Sequence, residues 1–308
     1  MPHPLLDGLV DYAGLFPPAR LPLEKAYRAY RAHLLRPEAW MLARFVVPSA
    51  HVGALAALAG DDVGGAALPL ALLGTGGANV DAFLAALASD LVAVSHACAR
   101  APGLAPDAFE LRLPDRVIAH PDTAAGTLAR AHEVFVAAGF PDARRFYEVP
   151  FTDAGRAALP VLAGALADHG AGLKLRTGGL TPDDFPTADA LAGAILAAHH
   201  AGIPFKATAG LHHPVRMHRD EVGAKMHGFL NVFGGACLLH ARGLDERTLD
   251  EILREEDPAA FRLDASGFAW RGLSASPGEL RAARAFATSF GSCSFDDPID
   301  DLRALSMV

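Results

Sequence analysis

Short apolar segments alternate with longer Ala- and Leu-rich segments along most of this 308-residue chain. The short segments favour strands and often end in Pro or Gly, whereas the longer ones space their apolar residues as helices do. Strands that alternate with helices indicate parallel strands joined by crossover helices. The predicted strands are Leu9–Tyr12, Ala43–Pro48, Ala67–Leu73, Phe109–Leu113, Arg145–Pro150, Gly172–Thr177, Ile203–Ala209 and Phe229–Phe233, and the predicted helices include Leu23–Leu35, Val80–Ala99, Thr123–Ala138, Asp153–His169 and Ala188–Ala201.

Eight strands favour a closed barrel over an open sheet. A (β/α)8 barrel typically takes about 250 residues. An open doubly wound sheet usually has fewer strands, and its G-x-G-x-x-G motif is absent after the first strand here. We therefore expect an α/β protein with a (β/α)8 TIM barrel at residues 1–244. The eighth strand, Phe229–Phe233, has a competing interpretation as part of one long helix from Arg219 to His240.

The last part of the chain does not repeat the alternation. We expect residues 245–308 to form a mostly helical C-terminal extension that packs on the barrel within a single domain. This extension is predicted to contain an acidic helix near Leu244–Glu256, a hairpin at Phe261–Arg271 and a helix from Pro277 to Ser289.

Charge and cysteine content narrow the classes of partner. The net charge is −8, the opposite of the balance usual in nucleic-acid-binding domains. Three widely spaced cysteines argue against a disulfide scaffold. The N-terminus lacks a signal-peptide pattern, and the apolar runs are interrupted before the ~20 residues that a membrane span needs. We expect a cytoplasmic protein with no nucleic-acid or membrane partner, and a homodimer is the base-rate expectation.

Only four of the 27 basic residues are lysines, and two of these, Lys174 and Lys206, lie on neighbouring predicted strands. Unlike arginine, lysine loses its proton readily when it is desolvated or lies near another cation, and it then becomes a nucleophilic amine. Two adjacent lysines would lower each other's pKa, which suits Schiff-base chemistry. The alternative is that both remain ammonium groups and bind an anion.

Charged residues recur in phase on four consecutive predicted strands. Residues i and i+2 of a strand face the same side, and barrel enzymes bind ligands at the carboxyl ends of their strands. Because burying an unpaired ion costs several kcal/mol, we expect these charges to serve a site rather than the core. The set comprises Glu110, Arg112, Glu148, Lys174, Arg176 and Lys206.

Within this set we expect Glu110 and Glu148 to be acid/base groups, and Arg112 and Arg176 to hold an acidic substrate group, bidentately if it is a carboxylate. His212 lies in phase with Lys206 and is a candidate for proton transfer. The further substrate-binding candidates are Thr177, Gly178, Gly179, Thr208, Gly210, His213, Asn231, Gly234 and Asp11, which follow or end predicted strands and offer hydroxyl, amide, carboxylate, imidazole or backbone N–H groups.

The runs from Gly172 to Gly179 and from Phe205 to Gly210 together resemble the class I deoxyribose-phosphate aldolases, a family of Schiff-base TIM barrels. That family has Lys-x-x-Thr-Gly on strand six and Lys-x-x-Gly-Gly on strand seven. The resemblance covers about 45 residues. It implies that Lys174 forms the Schiff base, that Lys206 lowers its pKa and that Glu110 assists proton transfer.

The sequence departs from the family pattern in three places. Arg176 replaces a small residue, strand four carries Glu instead of Asp, and strand seven continues into Leu211–Pro214 instead of a second glycine. These departures predict a substrate other than deoxyribose phosphate.

The sequence thus predicts a lyase or aldolase without a cofactor, acting on a small anionic carbonyl compound. One alternative is a metal-dependent lyase or hydrolase in which His212 joins Glu110 and Glu148 around a divalent metal. Another is a non-catalytic barrel that binds an anionic metabolite.

Overall fold

A computed structural model, which describes residues 2–60 and 67–308, contains a closed barrel of eight parallel strands. The first seven follow one another around the barrel in chain order, and the eighth lies between the seventh and the first. The predicted (β/α)8 fold is therefore confirmed. The barrel strands are β1 (Val10–Tyr12), β2 (Leu42–Pro48), β3 (Leu68–Leu73), β4 (Leu104–Arg112), β5 (Arg144–Glu148), β6 (Gly172–Arg176), β7 (Phe205–Thr208) and β13 (Ala287–Ser292); outside the barrel lie β8 (Met217–Arg219), β9 (Ala224–Met226), β10 (Phe261–Asp264), β11 (Gly267–Trp270) and β12 (Leu273–Ala275).

Helices cover the outer face of the barrel, and their buried sides form one apolar core with the strands. On β4, for example, Phe109 points outward and packs edge-to-face on Phe135 of the fifth helix. The helices are α1 (Leu23–His33), α2 (Val52–Ala59), α3 (Val80–Arg100), α4 (Asp115–Ala119), α5 (Ala124–Ala137), α6 (Asp153–Asp168), α7 (Ala188–His200), α8 (Gly235–Arg242), α9 (Glu246–Arg254), α10 (Pro277–Ala283) and α11 (Asp296–Ala304).

Helix α3 is long and apolar enough, by length and composition, to cross a membrane, and it is the one such helix in the described part of the chain. Its Phe83, Leu87 and Leu91 are buried in the common core. The helix packs between α2 and α5. Its apolar face is therefore explained by its place in the outer ring.

The predicted position of the eighth strand is wrong. Strand β13 closes the barrel by pairing in parallel with both β1 and β7. Residues 287–292 fall within the segment expected to form an extension, so the barrel does not end at residue 244. The expected helix from Pro277 to Ser289 ends at Ala283, and Arg284 then donates hydrogen bonds to the carbonyls of Ala287 and Thr288 at the start of β13.

The segment predicted as strand eight is helical. Phe229 precedes a π-helical turn at Leu230–Gly234, which continues directly into α8. Every side chain of this turn is buried, so the apolar run carries no alternation that would distinguish a strand from a core helix. The competing interpretation, one long helix from Arg219 to His240, correctly makes this segment helical but begins too early, because Ala224–Met226 is strand β9.

The remaining C-terminal elements agree better with expectation. The acidic helix is α9, and the predicted hairpin is β10–β11, which β12 extends into a three-stranded antiparallel sheet.

Gly234 lies directly against Phe268 of β11. A Cβ on Gly234 would lie 2.2 Å from the Phe268 ring. Gly234 is therefore a packing glycine rather than the predicted anion-binding residue.

Asn231 is also a structural residue and not part of a substrate site. Its side chain is fully buried. Its Nδ2 donates to the carbonyls of Ile252 at 2.7 Å and Glu255 at 2.9 Å, and its Oδ1 accepts from the backbone N–H of Arg216 at 2.9 Å. One amide thus joins the π-helical turn, the end of α9 and the loop after β7.

We predict that Asn231→Ala lowers the free energy of unfolding by about 2–4 kcal/mol, because it removes all three hydrogen bonds between this buried amide and the backbone. Urea denaturation measures the change. The control is Asn79→Ala, which removes only the exposed cap of α3 and should cost about 1 kcal/mol. Equal losses for the two variants would contradict the bridging role of Asn231.

Candidate active site

The strand register places the two lysines side by side inside the barrel. Lys174 of β6 lies opposite Lys206 of β7, and Glu148 of β5 lies opposite Lys174. Both lysine side chains are buried, that of Lys206 almost completely. The predicted convergence of Lys174, Lys206, Glu110 and Glu148 is seen in the structure.

Glu110 of β4 is shared between the two lysines. Its Oε2 lies 2.9 Å from the Lys174 Nζ, and its Oε1 accepts a hydrogen bond from the Lys206 Nζ. Each lysine has a second carboxylate, since Glu148 lies 3.0 Å from Lys174 and Asp11 lies 2.9 Å from Lys206. The result is a continuous chain of alternating charges across strands β5, β6, β4, β7 and β1.

Asp11 anchors the deeper end of this chain. It is fully buried, so the expectation that it reaches the barrel mouth as a substrate-binding residue is wrong. Its carboxylate accepts hydrogen bonds from the Ser289 hydroxyl at 2.7 Å and from the Arg44 guanidinium at 3.3 Å. Arg44 also donates to Asp107 at 2.5 Å.

These contacts set the protonation states of the network. Burial would raise the pKa of Glu110, but the two lysines outweigh it and hold that pKa at about 2. Burial likewise opposes ionisation of Asp11, and Lys206 and Arg44 nevertheless lower its pKa. Both carboxyl groups are therefore ionised at neutral pH.

The pKa of Lys174 differs from the expected one. Burial lowers it, but Glu110 and Glu148 have the larger combined effect, and the pKa is raised above its ordinary value. The expectation that Lys206 depresses the Lys174 pKa is thus wrong for the resting protein. The expectation followed from two neighbouring cations, whereas in the structure the Glu110 carboxylate lies between the two lysines.

The predicted arginines lie on the same strands but outside the buried network. Arg112 and Arg176 end β4 and β6, and both are exposed. Arg112 pairs with Asp115 at 3.2 Å, and the Arg176 Nε donates to the Gly178 carbonyl. Their guanidinium groups are at the carboxyl ends of the strands, where barrels bind ligands.

The loops after β6 and β7 are held to each other. The buried Thr177 hydroxyl donates to the Ala209 carbonyl at 2.6 Å, so it supports the loop instead of offering a free group to substrate. Gly178 and Gly210 approach so closely that a Cβ on either would lie 2.9 Å from the Cα of the other. Gly210 also has φ of +72°, a conformation that favours glycine.

Two other predicted binding residues have different surroundings. A Cβ on Gly179 would lie 2.4 Å from the Asp184 carboxyl carbon. That carboxylate already accepts the backbone N–H groups of Leu180 and Thr181. Thr208 is half-buried at the end of β7, in register with Arg176 and with Gly291 of β13.

The two histidines after β7 contact the segment that follows the eighth strand. His213 Nδ1 lies 2.5 Å from Asp301, and His212 contacts Cys293 and Asp297. His212 therefore does not join the glutamates as the metal alternative requires. Within residues 2–60 and 67–308, no group of three or more His, Cys, Asp or Glu side chains is arranged to hold a metal ion.

Sequence reasoning missed Arg44, Ser289, Cys293 and Asp297 as members of these clusters. Arg44 is the one charged residue in the predicted strand Ala43–Pro48, which was a usable signal. The other three became visible only when β13 was placed in the barrel, because they lie on this strand or just after it.

The fold and the buried lysines together define a (β/α)8 barrel with ionisable groups inside it. No protein-family model matches the chain, and no curated protein matches it significantly. Among solved structures, it is similar to a deoxyribose phosphate aldolase from Aeropyrum pernix that is described as having a unique tetrameric structure. The match covers 98% of this chain and 93% of the aldolase chain, with 14% identity and a TM-score of 0.52. The fold resemblance predicted from strands six and seven is confirmed.

We predict that Glu110→Gln destabilises the protein by about 3 kcal/mol at neutral pH. The Glu110 pKa is about 2 in the folded protein and ordinarily 4.5. The carboxylate therefore contributes its full stabilisation above pH 4.5 and loses it as the pH falls towards 2. The difference between variant and parent should shrink over that range, as measured by urea denaturation at several pH values.

The matched control is Glu251→Gln, which removes an exposed ion pair with Arg247 on α9. Such a pair is typically worth less than about 1 kcal/mol. A Glu110→Gln effect that is equally small, or independent of pH between 5 and 2.5, would refute the shared-carboxylate interpretation.

Proposed function

We propose that the protein is a lyase of the aldolase type that forms a Schiff base between Lys174 and a small carbonyl substrate. The observation that carries the proposal is the buried pair of lysines that share Glu110. Of the two, Lys174 is the reactive one, because its second partner, Glu148, is partly exposed whereas Asp11 beside Lys206 is fully buried. A substrate that enters from the mouth therefore meets Lys174 before Lys206.

The carboxylates around Lys174 suit the charge of the intermediate. An iminium ion carries its positive charge at the nitrogen that the ammonium occupies at rest, so the existing contacts with Glu110 and Glu148 stabilise both species. The amine becomes nucleophilic only after it passes a proton to a neighbouring carboxylate. Glu148, at 3.0 Å, is placed to accept that proton.

Further proton transfers follow the same geometry. Attack of the Lys174 nitrogen on the carbonyl carbon gives a carbinolamine, whose hydroxyl leaves as water when Glu148 returns a proton. The resulting iminium accepts the electron pair of the bond between the substrate's α and β carbons, while Glu148, again ionised, takes the proton of the β-hydroxyl. The products are an enamine on Lys174 and a second carbonyl compound. Lys206 holds Glu110 in position through this sequence by its hydrogen bond to Oε1.

The substrate class follows from the mouth of the barrel. Arg112 and Arg176 end their strands above the lysines and are exposed, so a carboxylate or phosphate on the substrate has two cationic groups available. The net charge of −8 gives the rest of the chain no general affinity for anions. We further propose that the protein acts in the cytoplasm. We also propose that it forms a homo-oligomer, since the structurally similar aldolase is described as tetrameric.

We predict that borohydride reduction with small aldehydes and ketones (acetaldehyde, pyruvate and dihydroxyacetone) traps an adduct at Lys174. Peptide mapping by mass spectrometry locates the adduct. Lys174→Met should abolish it, because the reacting amine is lost, whereas Lys206→Met should slow it at least tenfold by disturbing Glu110.

Lys225→Met is the matched control, because Lys225 is half-exposed and also paired with a glutamate. It should leave trapping at Lys174 unchanged. Adducts spread evenly over the lysines, or none at Lys174 with any of these carbonyl compounds, would reject the Schiff-base function and favour a barrel that only binds its ligand.

A further inference from the structure

A cysteine, a histidine and an aspartate meet at the carboxyl end of the barrel. Cys293 directly follows β13, and its Sγ lies 4.0 Å from His212 Nε2 on the loop after β7. On the other side of the ring, His212 Nδ1 lies 3.6 Å from Asp297 Oδ2 in the first turn of α11. A thiol, an imidazole and a carboxylate in this order form the arrangement that activates cysteine nucleophiles.

The histidine beside the sulfur is held in its protonated form. Its side chain is 15% exposed. Its Nδ1 has no hydrogen-bond partner among the residues that the structure describes, and the Asp297 carboxylate lies 3.6 Å away. Burial lowers the pKa of His212, but Asp297 and Cys293 outweigh burial and raise it to about 9. The ring is therefore an imidazolium at neutral pH, with one N–H directed to the sulfur and the other towards the carboxylate.

The other two cysteines have no comparable environment. Cys237 is completely buried, and burial raises its thiol pKa to about 12. Cys98 on α3 is partly exposed, as Cys293 is, but burial raises its pKa as well. Both cysteines therefore serve as internal references, and Cys98 is partly exposed as Cys293 is.

We propose that Cys293, His212 and Asp297 form a second reactive site, in which the thiol adds reversibly to the carbonyl carbon of an aldehyde at the barrel mouth. The sulfur electron pair forms the C–S bond, and the Cys293 proton passes to His212 Nε2 once that nitrogen has given its own proton to the carbonyl oxygen. The π electrons of the C=O bond move to oxygen, which takes the proton from His212 and becomes the hydroxyl of a hemithioacetal. Asp297 orients the ring and stabilises its charge.

This site is distinct from the lysine network. Ser289, which bonds to Asp11, precedes Cys293 by four residues on the same strand and its end, so the thiol lies up to about 13 Å nearer to the mouth. The two sites are connected through β7, because Lys206 lies on this strand and His212 lies on the loop that follows it. An aldehyde that approaches the lysines must first pass the height of the thiol.

The test measures the rate of alkylation of each cysteine by iodoacetamide at pH 7, with peptide mass spectrometry as the readout. Cys293 should react at least tenfold faster than Cys98, and Cys237 should not react in the folded protein. His212→Asn should slow Cys293 about tenfold, and Asp297→Asn several-fold, without changing the Cys98 rate. A Cys293 rate equal to that of Cys98, or unaffected by His212→Asn, would overturn the proposal.

Two controls keep the test specific. His213→Asn changes the neighbouring histidine, which pairs with Asp301, and should leave the Cys293 rate unchanged. Cys237 reports unfolding, because it becomes reactive only if a variant opens the core. If His212→Asn makes Cys237 reactive, the effect on Cys293 is measured in Asp297→Asn instead. The Asp297 side chain is exposed, so this substitution disturbs the fold less.

A second measurement tests the carbonyl chemistry. Propanal should protect Cys293 from iodoacetamide, and removal of propanal should restore the reactivity, because the adduct is reversible. Protection should persist in Lys174→Met, which separates this site from the proposed Schiff base. A fast Cys293 that propanal does not protect would overturn the hemithioacetal assignment while leaving the lysine function open to its own test.

Discussion

The interior of the barrel depends on the carboxylate of Glu110, which pairs with two ammonium groups at once. Barrel interiors are usually filled by branched apolar side chains. Each buried ion here needs a partner of opposite charge, because its desolvation costs several kcal/mol. This need is met by an alternating chain of Glu148, Lys174, Glu110, Lys206 and Asp11, so the loss of any one removes an ion-pair partner from its neighbour.

The barrel and its charged strands could be predicted because the pattern is local. Strands β4, β6 and β7 each combine an outward apolar face with inward polar residues, and two-residue periodicity reveals both. The eighth strand has no such signal. Ala287–Ser292 is short and rich in small residues, and it follows an Ala- and Arg-rich helix, whereas Phe229–Phe233 is more apolar and yet helical. Its position depends on pairing with β1 and β7, which are distant in sequence.

The residues that form the site could be predicted from the sequence, but the effect of their charges on one another could not. Lys174, Lys206, Glu110 and Glu148 converge as the strand phase indicates. The direction of the Lys174 pKa depends on which neighbour lies between the lysines, and that is decided by side-chain geometry across strands. A sequence shows that two cations are adjacent but not that a carboxylate separates them.

The two proposed nucleophiles, Lys174 and Cys293, have neighbours of opposite charge. Lys174 is surrounded by carboxylates, so it rests as a cation, and its environment favours the charged intermediate over the free amine. Cys293 lies beside an imidazolium that Asp297 stabilises, so the charge nearest to the sulfur is positive. In the proposed Schiff-base reaction the amine must therefore first pass a proton to Glu148, whereas in the proposed thiol addition His212 supplies the proton that the carbonyl oxygen takes. This difference follows from the sign of the nearest charge. Carboxylates of strands β5 and β4 lie beside the lysine, whereas a histidine of the loop after β7 lies beside the cysteine.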